Sequence, residues 1–420
     1  MKTNNKIFFN FLLIIAIFVS LSPVFVLAQT EEIDNLDEFL PAEQQSLEEL
    51  NLESLDYFIV ESVEPKEEFF EAEVTQVIEE REKQISPTQT IWQQNLKLKG
   101  LEGSFKDEEI FFNGISDLEV LASDRYQVGD KVTMAYVIDY TGSERFYVLD
   151  YVRRADIYWF FLIFAACVIL VGGWKGLRSL IVLALTFLII LKFIIPQILA
   201  GASPLNITLV GSFVIVFLAI YLTEGFNKKS SLAVLSIALA LIITAVLAYF
   251  STKLMHLSGI SEEALFLSSY GFASLDFKGI LLAGIIIGAL GVLDDVVISQ
   301  VSVVKEIYAA NKNLNKKEVY KSAMKVGVSH INAMVNTLFL AYAGVSFILL
   351  FLFSIKQEPF LSYEQIINQE VIATEIVRSL VGAIGLILSV PISTYLGVLF
   401  LKSKSDDKKN EDKDFEKVKN

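Results

Sequence analysis

Past Arg153-Arg154 the chain carries seven apolar stretches, near 157–174, 177–199, 206–223, 231–251, 279–299, 330–354 and 376–401. Each is long enough to cross a hydrocarbon core of about 30 Å, the first only just. No other feature narrows the fold as much, because a backbone in lipid must satisfy its own hydrogen bonds and a helix does so within one segment. The stretches are continuously apolar rather than alternating, and 53% of the 420 residues are hydrophobic, above the soluble norm. The expectation is an α-helical polytopic membrane protein of about seven transmembrane helices, with the lipid bilayer as its first partner. Tyr158-Trp159 and Trp174 bracket the first stretch as interface anchors.

Upstream of the helices three textures follow one another. Residues 1–28 read as a secretory signal peptide: Lys2 and Lys6, then Ile7 to Val19, then Val26-Leu27-Ala28 as a small-residue cleavage site. A retained first helix is the alternative. Residues 29–68 are acidic, poor in Lys and broken by Pro41 and Pro65, which reads as a disordered or weakly helical linker. Residues 69–153 hold short alternating runs, 73–78, 95–99, 109–112, 130–138 and 144–149, separated by Gly100, Gly103, Asn113-Gly114, Gly129-Asp130 and Gly142-Ser143. That pattern predicts a small antiparallel all-β domain, OB-like, of five or six strands. Its aromatics Trp92, Phe111, Phe112, Tyr126, Tyr136 and Tyr147 serve a core or a protein partner. It has no His, no Cys and no basic stripe, so no nucleic acid is expected. Residues 154–402 form the bundle and 403–420 a charged tail.

Lys and Arg in the short loops set an orientation. Lys175 and Arg178, Lys228 and Lys229, the group Lys305, Lys312, Lys316, Lys317, Lys321 and Lys325, and the tail lysines mark the cytoplasmic side. The alternate loops are poor in basic residues. The β-domain is then extracytoplasmic and the C-terminus cytoplasmic, in agreement with a cleaved signal. Arg153-Arg154 lies against this orientation.

The fifth stretch carries two adjacent acids, Asp294 and Asp295. Charge at membrane depth costs a few kcal/mol or more, about 3 on insertion scales, so it is a functional candidate. Gly284, Gly288, Gly291 and Asp295 are spaced by four, three and four and share one helical stripe that lets another helix approach. Asp295 lies roughly 24 Å beyond Gly279, and His330 about 7–8 Å beyond Lys325 on the returning stretch, so the two reach similar depth. With Asn332 and Asn336 they could hold a proton or a hard cation along a substrate or ion pathway. A structural polar clamp between the two helices is the competing reading. Gly382, Gly385 and Pro391 give the last stretch a packing face and a kink. Glu375 and Arg378 are spaced to pair near its start.

Three segments resemble the YibE/F-like family of bacterial membrane proteins: Gly288-Ala-Leu-Gly-Val-Leu-Asp-Asp-Val296; Val326-Gly-Val-Ser-His-Ile331 with Asn336-Thr-Leu-Phe-Leu-Ala-Tyr342; and Val381-Gly-Ala-Ile-Gly-Leu-Ile-Leu-Ser-Val-Pro-Ile392. The resemblance runs from about the β-domain through the last stretch. It implies a membrane protein for which transport is the usual guess, and it supplies no catalytic or substrate residues.

Several classes are disfavoured. There is no His-Glu-x-x-His and no phosphate loop, and the paired acids lack the Gly-x-Gly-Asp context of intramembrane aspartyl proteases. Cys167 is the single cysteine, so no cysteine-based metal site arises. The expectation is a non-enzyme without cofactor or bound metal. A secondary transporter or permease comes first. A membrane partner or scaffold docking through the β-domain is the alternative, and self-association into a homo-oligomer is open in either case.

Overall fold

The computed structural model describes residues 66–86, 89–115, 125–138, 143–355 and 361–401. The signal segment, the acidic stretch up to residue 65 and the tail beyond 401 lie outside the described residues. The chain divides into two compact units, one carrying the sheet and one carrying the helices from Val168 onward.

The sheet has five strands, β1 (Lys66–Ser86), β2 (Gln89–Gly100), β3 (Glu109–Asn113), β4 (Lys131–Ile138) and β5 (Glu144–Tyr151). Every pairing is antiparallel and the order is β3-β2-β1-β4-β5. Alternation builds one apolar face: Phe70, Ala72 and Val74, Leu96 and Leu98, Ile110 and Phe112, Val132 and Met134, and Val148 are buried together. Phe105 closes that face, its ring 4.8 Å from Phe70, 4.9 Å from Tyr136 and 5.3 Å from Phe146. Gly129, at φ +96°, makes the turn into β4, and its N–H donates to the Val74 carbonyl at 2.8 Å.

Strand β1 is much longer than the 73–78 run that alternation marks. It starts at Lys66 because it pairs with β4 from Lys66↔Ile138 to Glu73↔Lys131. It continues to Ser86 because it also pairs with β2, through register shifts at Val74/Gln76 and Val77/Glu79. Residues Glu79 to Gln84 carry charge rather than apolar alternation, so their strand character is invisible to periodicity. Among the aromatics, Phe112 and Tyr126 are core residues, whereas Phe111 is 57% exposed. Trp92 lies under the Arg125 guanidinium at 4.9 Å.

A fragment of residues 66–152 is expected to be soluble, monomeric and β-rich by circular dichroism, because its core closes without residues from the helical unit. A disordered spectrum would show that the strands need the membrane part. Arg153 pairs with Asp150 at 2.7 Å, and Arg154 with Glu71 at 3.1 Å. The Arg153 hydrogen bond holds the Asp150 carboxyl below its ordinary range.

The helical run α1 (Arg154–Leu199) covers two of the stretches expected as separate spans. Straight, its 46 residues would reach about 69 Å, more than twice a hydrocarbon core. It is not straight. Gly173 has φ 55° and ψ −137°, outside helical geometry and open only to glycine at low cost. The Val168 carbonyl lies where a Cβ on Gly176 would stand. In a straight helix those residues would be about 12 Å apart, so the chain turns sharply at Gly172-Gly173. A π turn at Ile190–Ile194 precedes Pro196, which has no N–H to continue the α ladder.

There follow α2 (Pro204–Glu224), α3 (Lys228–Leu254), the short α4 (Glu262–Leu267) and α5 (Phe277–Ala310). Then come α6 (Lys316–Val345), α7 (Phe347–Ile355), α8 (Tyr363–Ile367) and α9 (Glu370–Phe400). Caps mark the starts: Asn227 accepts from the Ser230 N–H, Asp276 from Gly279, and Asn315 with Glu318 forms a capping box. Among the described residues five helical runs, α1, α2, α3, α5 and α9, are long and apolar enough to cross a membrane. The pair α6–α7, bent by 82°, would be a sixth if it is one crossing. The expected stretch 330–354 is therefore a helix that starts earlier, at its Asn315 cap, and breaks at Ser346.

Glu370 joins the loop after α3 to the start of α9. Its Oε1 accepts from the Ser258 N–H at 2.6 Å, the Ser258 hydroxyl at 2.8 Å and the Gly259 N–H at 2.9 Å. Glu370→Ala is expected to lower stability by about 2 kcal/mol, read as a fall in melting temperature in detergent. Glu370→Gln keeps an acceptor oxygen and should lose less. Equal melting of the alanine variant and the parent would refute this role.

Candidate functional site

Helix α5 is the centre of the bundle. Leu290, Leu293, Val297 and Val301 pack in one cluster with residues of α2 and α3, and Leu281, Leu282 and Ile285 in another with Val377 and Val381 of α9. The face carrying Gly284, Gly288, Gly291 and Asp295 lies away from most of these contacts. Asp295 is exposed. A Cβ on Gly284 or Gly291 would meet nothing within 4 Å. At Gly288 the Tyr342 hydroxyl of α6 lies 2.7 Å from where a Cβ would stand, and the same hydroxyl is 3.9 Å from that point on Gly382. The close helix approach expected along the whole stripe is made, among the described residues, at Gly288 alone and by a side chain. The reason is geometric: α5 spends its opposite face on α2, α3 and α9.

Asp294 is about 100° round the helix from Asp295. It is half-buried, and its Oδ1 is closed off from solvent with no hydrogen-bond partner. Val296 and Ile331, the chain neighbours of Asp295 and His330, share an apolar cluster, so α5 and α6 adjoin along this stretch. His330 is half-buried. Among the described residues no hydrogen bond, and no ion pair within 4.0 Å, joins Asp295 to His330. Asn332 and Asn336 are exposed and make no side-chain hydrogen bond there. They lie about 200° and 240° round α6 from His330, so the structure does not gather all four residues into one cluster.

The packing residues of α9 are closely engaged. The Thr244 side chain of α3 occupies the place of a Cβ on Gly385, and Leu338 lies 3.6 Å from that place on Gly382. Pro391 sits inside the helix, and the hydroxyls around it bond backward: Ser389 to the Leu386 carbonyl, Ser393 and Thr394 to the Val390 carbonyl, at 2.8, 3.1 and 2.7 Å.

Three features lie outside the residues that the sequence marks. Gln300, 1% exposed, donates from Nε2 to the Ala323 carbonyl at 3.0 Å and to Thr394 Oγ1 at 2.7 Å, tying α5, α6 and α9. An amide recurring on the apolar period of Leu293, Val296 and Val297 was the available signal. Gly327 is a glycine because a Cβ there would stand 2.5 Å from Val390 Cγ1 and 3.0 Å from Gln300 Nε2. Tyr342 is the third. The Glu375–Arg378 pair was foreseen and is present at 2.8 Å, and Ser346 adds a hydrogen bond to Glu375 Oε2 at 3.2 Å. Among the described residues no group of three or more His, Cys, Asp or Glu is placed to hold a metal ion.

Long apolar helices packed on one another, with an acid pair and a buried amide in the central one, define a membrane-embedded helical protein. Residues 160–403, more than half of the chain, match the family model of YibE/F-like protein, and the chain belongs to that family. The match begins beyond the sheet, so the likeness expected from about the β-domain onward is confined to the helical part. Comparison with curated proteins and with solved structures gives no match.

Proposed function

We propose that this is a multi-pass protein of a bacterial cell membrane that moves a proton or a small hard cation, with Asp295 and His330 on the path. The observation that carries this reading is the exposure of Asp295 on an apolar helix. A carboxylate at that depth is costly against lipid and is stable against water, a cation or protein. The open position at Gly291 leaves room one turn from it, and Tyr342 at Gly288 supplies the next polar group toward Glu375 and Arg378. Asp294, with an unpartnered buried oxygen, is a second candidate on the same helix. On this reading the chain is not an enzyme and needs no cofactor.

Division of α1 at Gly173, with α6–α7 counted as one crossing, gives seven crossings. Arg153 and Arg154, which count against an extracytoplasmic β-domain, are each paired with an acid of the sheet unit. Cysteine labelling at Ser143, Ser203 and Ser362 is expected to report outside, and at Asn227, Asn313 and Ser405 inside. An inside report at Ser143 would sink this topology. Transport itself is tested in liposomes containing the purified chain, screened for ion flux under an imposed pH gradient.

A second reading makes the β-domain a docking module. The strand order, with β3 and β5 coming near each other, supports an OB-like closure. The supporting surface is the ledge where Arg125 covers Trp92 and bonds Glu80 at 2.9 Å beside exposed Ile78 and Val128. Well-folded protein with no flux under any gradient would favour docking over transport.

A further inference from the structure

We propose that a cavity between α6, α7 and α9 binds one hydrocarbon chain of an amphiphile whose head donates hydrogen bonds, a hydroxyl or an ammonium. The inference rests on the membrane reading above but not on transport.

The cavity is partly open to the surroundings and holds about 260 Å³. That is roughly the volume of nine liquid waters, enough for a run of methylenes and too small for a folded peptide. Its walls are Phe339, Leu349, Leu350, Phe353, Ile376 and Leu380. The 82° bend at Ser346 sets α7 across α6 and so creates the space. A water-filled cavity needs polar partners spread over its walls, whereas here the polar side chains are Tyr342, Ser346, Glu375 and Ser379, the Ser379 hydroxyl is committed to the Glu375 carbonyl, and the other walls are hydrocarbon.

The chemistry of that polar end selects the head. Glu375 accepts from Arg378 Nη1 through one oxygen and from Ser346 through the other. A carboxylate offers about four lone-pair sites, so acceptor capacity remains. The Tyr342 hydroxyl makes no hydrogen bond among the described residues. Arg378 is not among the lining residues: two positions from both Ile376 and Leu380, it lies about 200° round α9 from each. The head therefore meets a carboxylate with acceptor capacity left, which suits a donor and disfavours an anion. Such a molecule could be a bilayer lipid with an ammonium head or a free long-chain amine or alcohol.

The test uses the full chain in phosphatidylcholine nanodiscs with a long-chain amine bearing a mid-chain diazirine. After irradiation, peptide mapping locates the label. Saturable labelling of the wall residues, competed by dodecylamine and by dodecanol but not by laurate, is expected. Ala343→Phe, which fills the cavity from α6, should lose that saturable component. If this variant fails to fold, the competition series on the parent chain decides the matter alone. Labelling spread evenly over the helices and linear in probe would overturn the site. Equal competition by laurate would overturn the choice of head. Displacement of a co-purified lipid by the probe identifies the bilayer as the source, and binding without displacement identifies a free amphiphile. Because flux is not the readout, loss of the transport reading leaves this result intact.

Discussion

Replacement of Asp295 by asparagine is expected to bring gradient-driven flux down to that of protein-free liposomes, at unchanged expression and melting temperature. The expectation follows from placement. Asp295 is exposed and has no ion pair or hydrogen bond among the described residues, so removing its charge breaks no contact that holds the bundle. A charge that contributes nothing to packing and is unfavourable against lipid has its use in what it binds or passes on. His330→Gln should also reduce flux, since it lies on the proposed path, and Tyr342→Phe should reduce it while keeping the ring packed at Gly288. If Asp295 and His330 are instead a clamp, both variants will lower the melting temperature and any flux will fall in step with folded protein. Full flux in Asp295→Asn would eliminate the proposed path.

Gly385→Leu is expected to prevent the bundle from closing, seen as loss of a monodisperse peak in detergent. The Thr244 side chain already fills the place of the first added carbon, and Gly385 lies on α9, which packs against α3, α5 and α6. Overpacking of this kind costs about 1–3 kcal/mol in a soluble core, and a full leucine at a helix contact lies at the upper end. In a membrane the small residue is what permits the approach at all. The milder Gly385→Ala should be destabilised and partly restored by Thr244→Ala, because the second change removes the atom that the first one meets. Additive losses in that double-mutant cycle would mean that the two residues do not touch.

The legible parts of this fold are those that repeat. Apolar runs announced α2, α3, α5 and α9, and alternation announced β3, β4 and the first half of β1. What escaped depends on single residues. Trp174 and Lys175 mark a break between the first two stretches, but its place at Gly172-Gly173 follows from one glycine at φ 55°. The second half of β1 is charged and is a strand only because β2 lies beside it. At the candidate site, depth arithmetic predicts that Asp295 and His330 reach similar depth, since rise per residue is fixed. It did not say which way each side chain faces, and that separates Asn332 and Asn336 from His330. The glycine stripe was legible as a stripe, but its vacancy depends on how α5 divides its faces among its neighbours. Gln300 and Glu370 have partners distant in sequence, beyond the reach of any local pattern.

The partners of Gln300 also bear on how the protein comes into being. Ala323 follows it by 23 residues, but Thr394 follows by 94. At a synthesis rate of about 5–20 residues per second, Thr394 leaves the ribosome roughly 5–20 s after Gln300. For that interval the central helix is in place with half of its amide unmatched, and Thr244 has no Gly385 to receive it. The helices made first therefore wait in the bilayer with their polar and notched faces unfilled, and the last one made completes them. A chain released before α9 emerges would display those faces permanently, giving membrane quality control a definite feature by which to recognise an unfinished molecule.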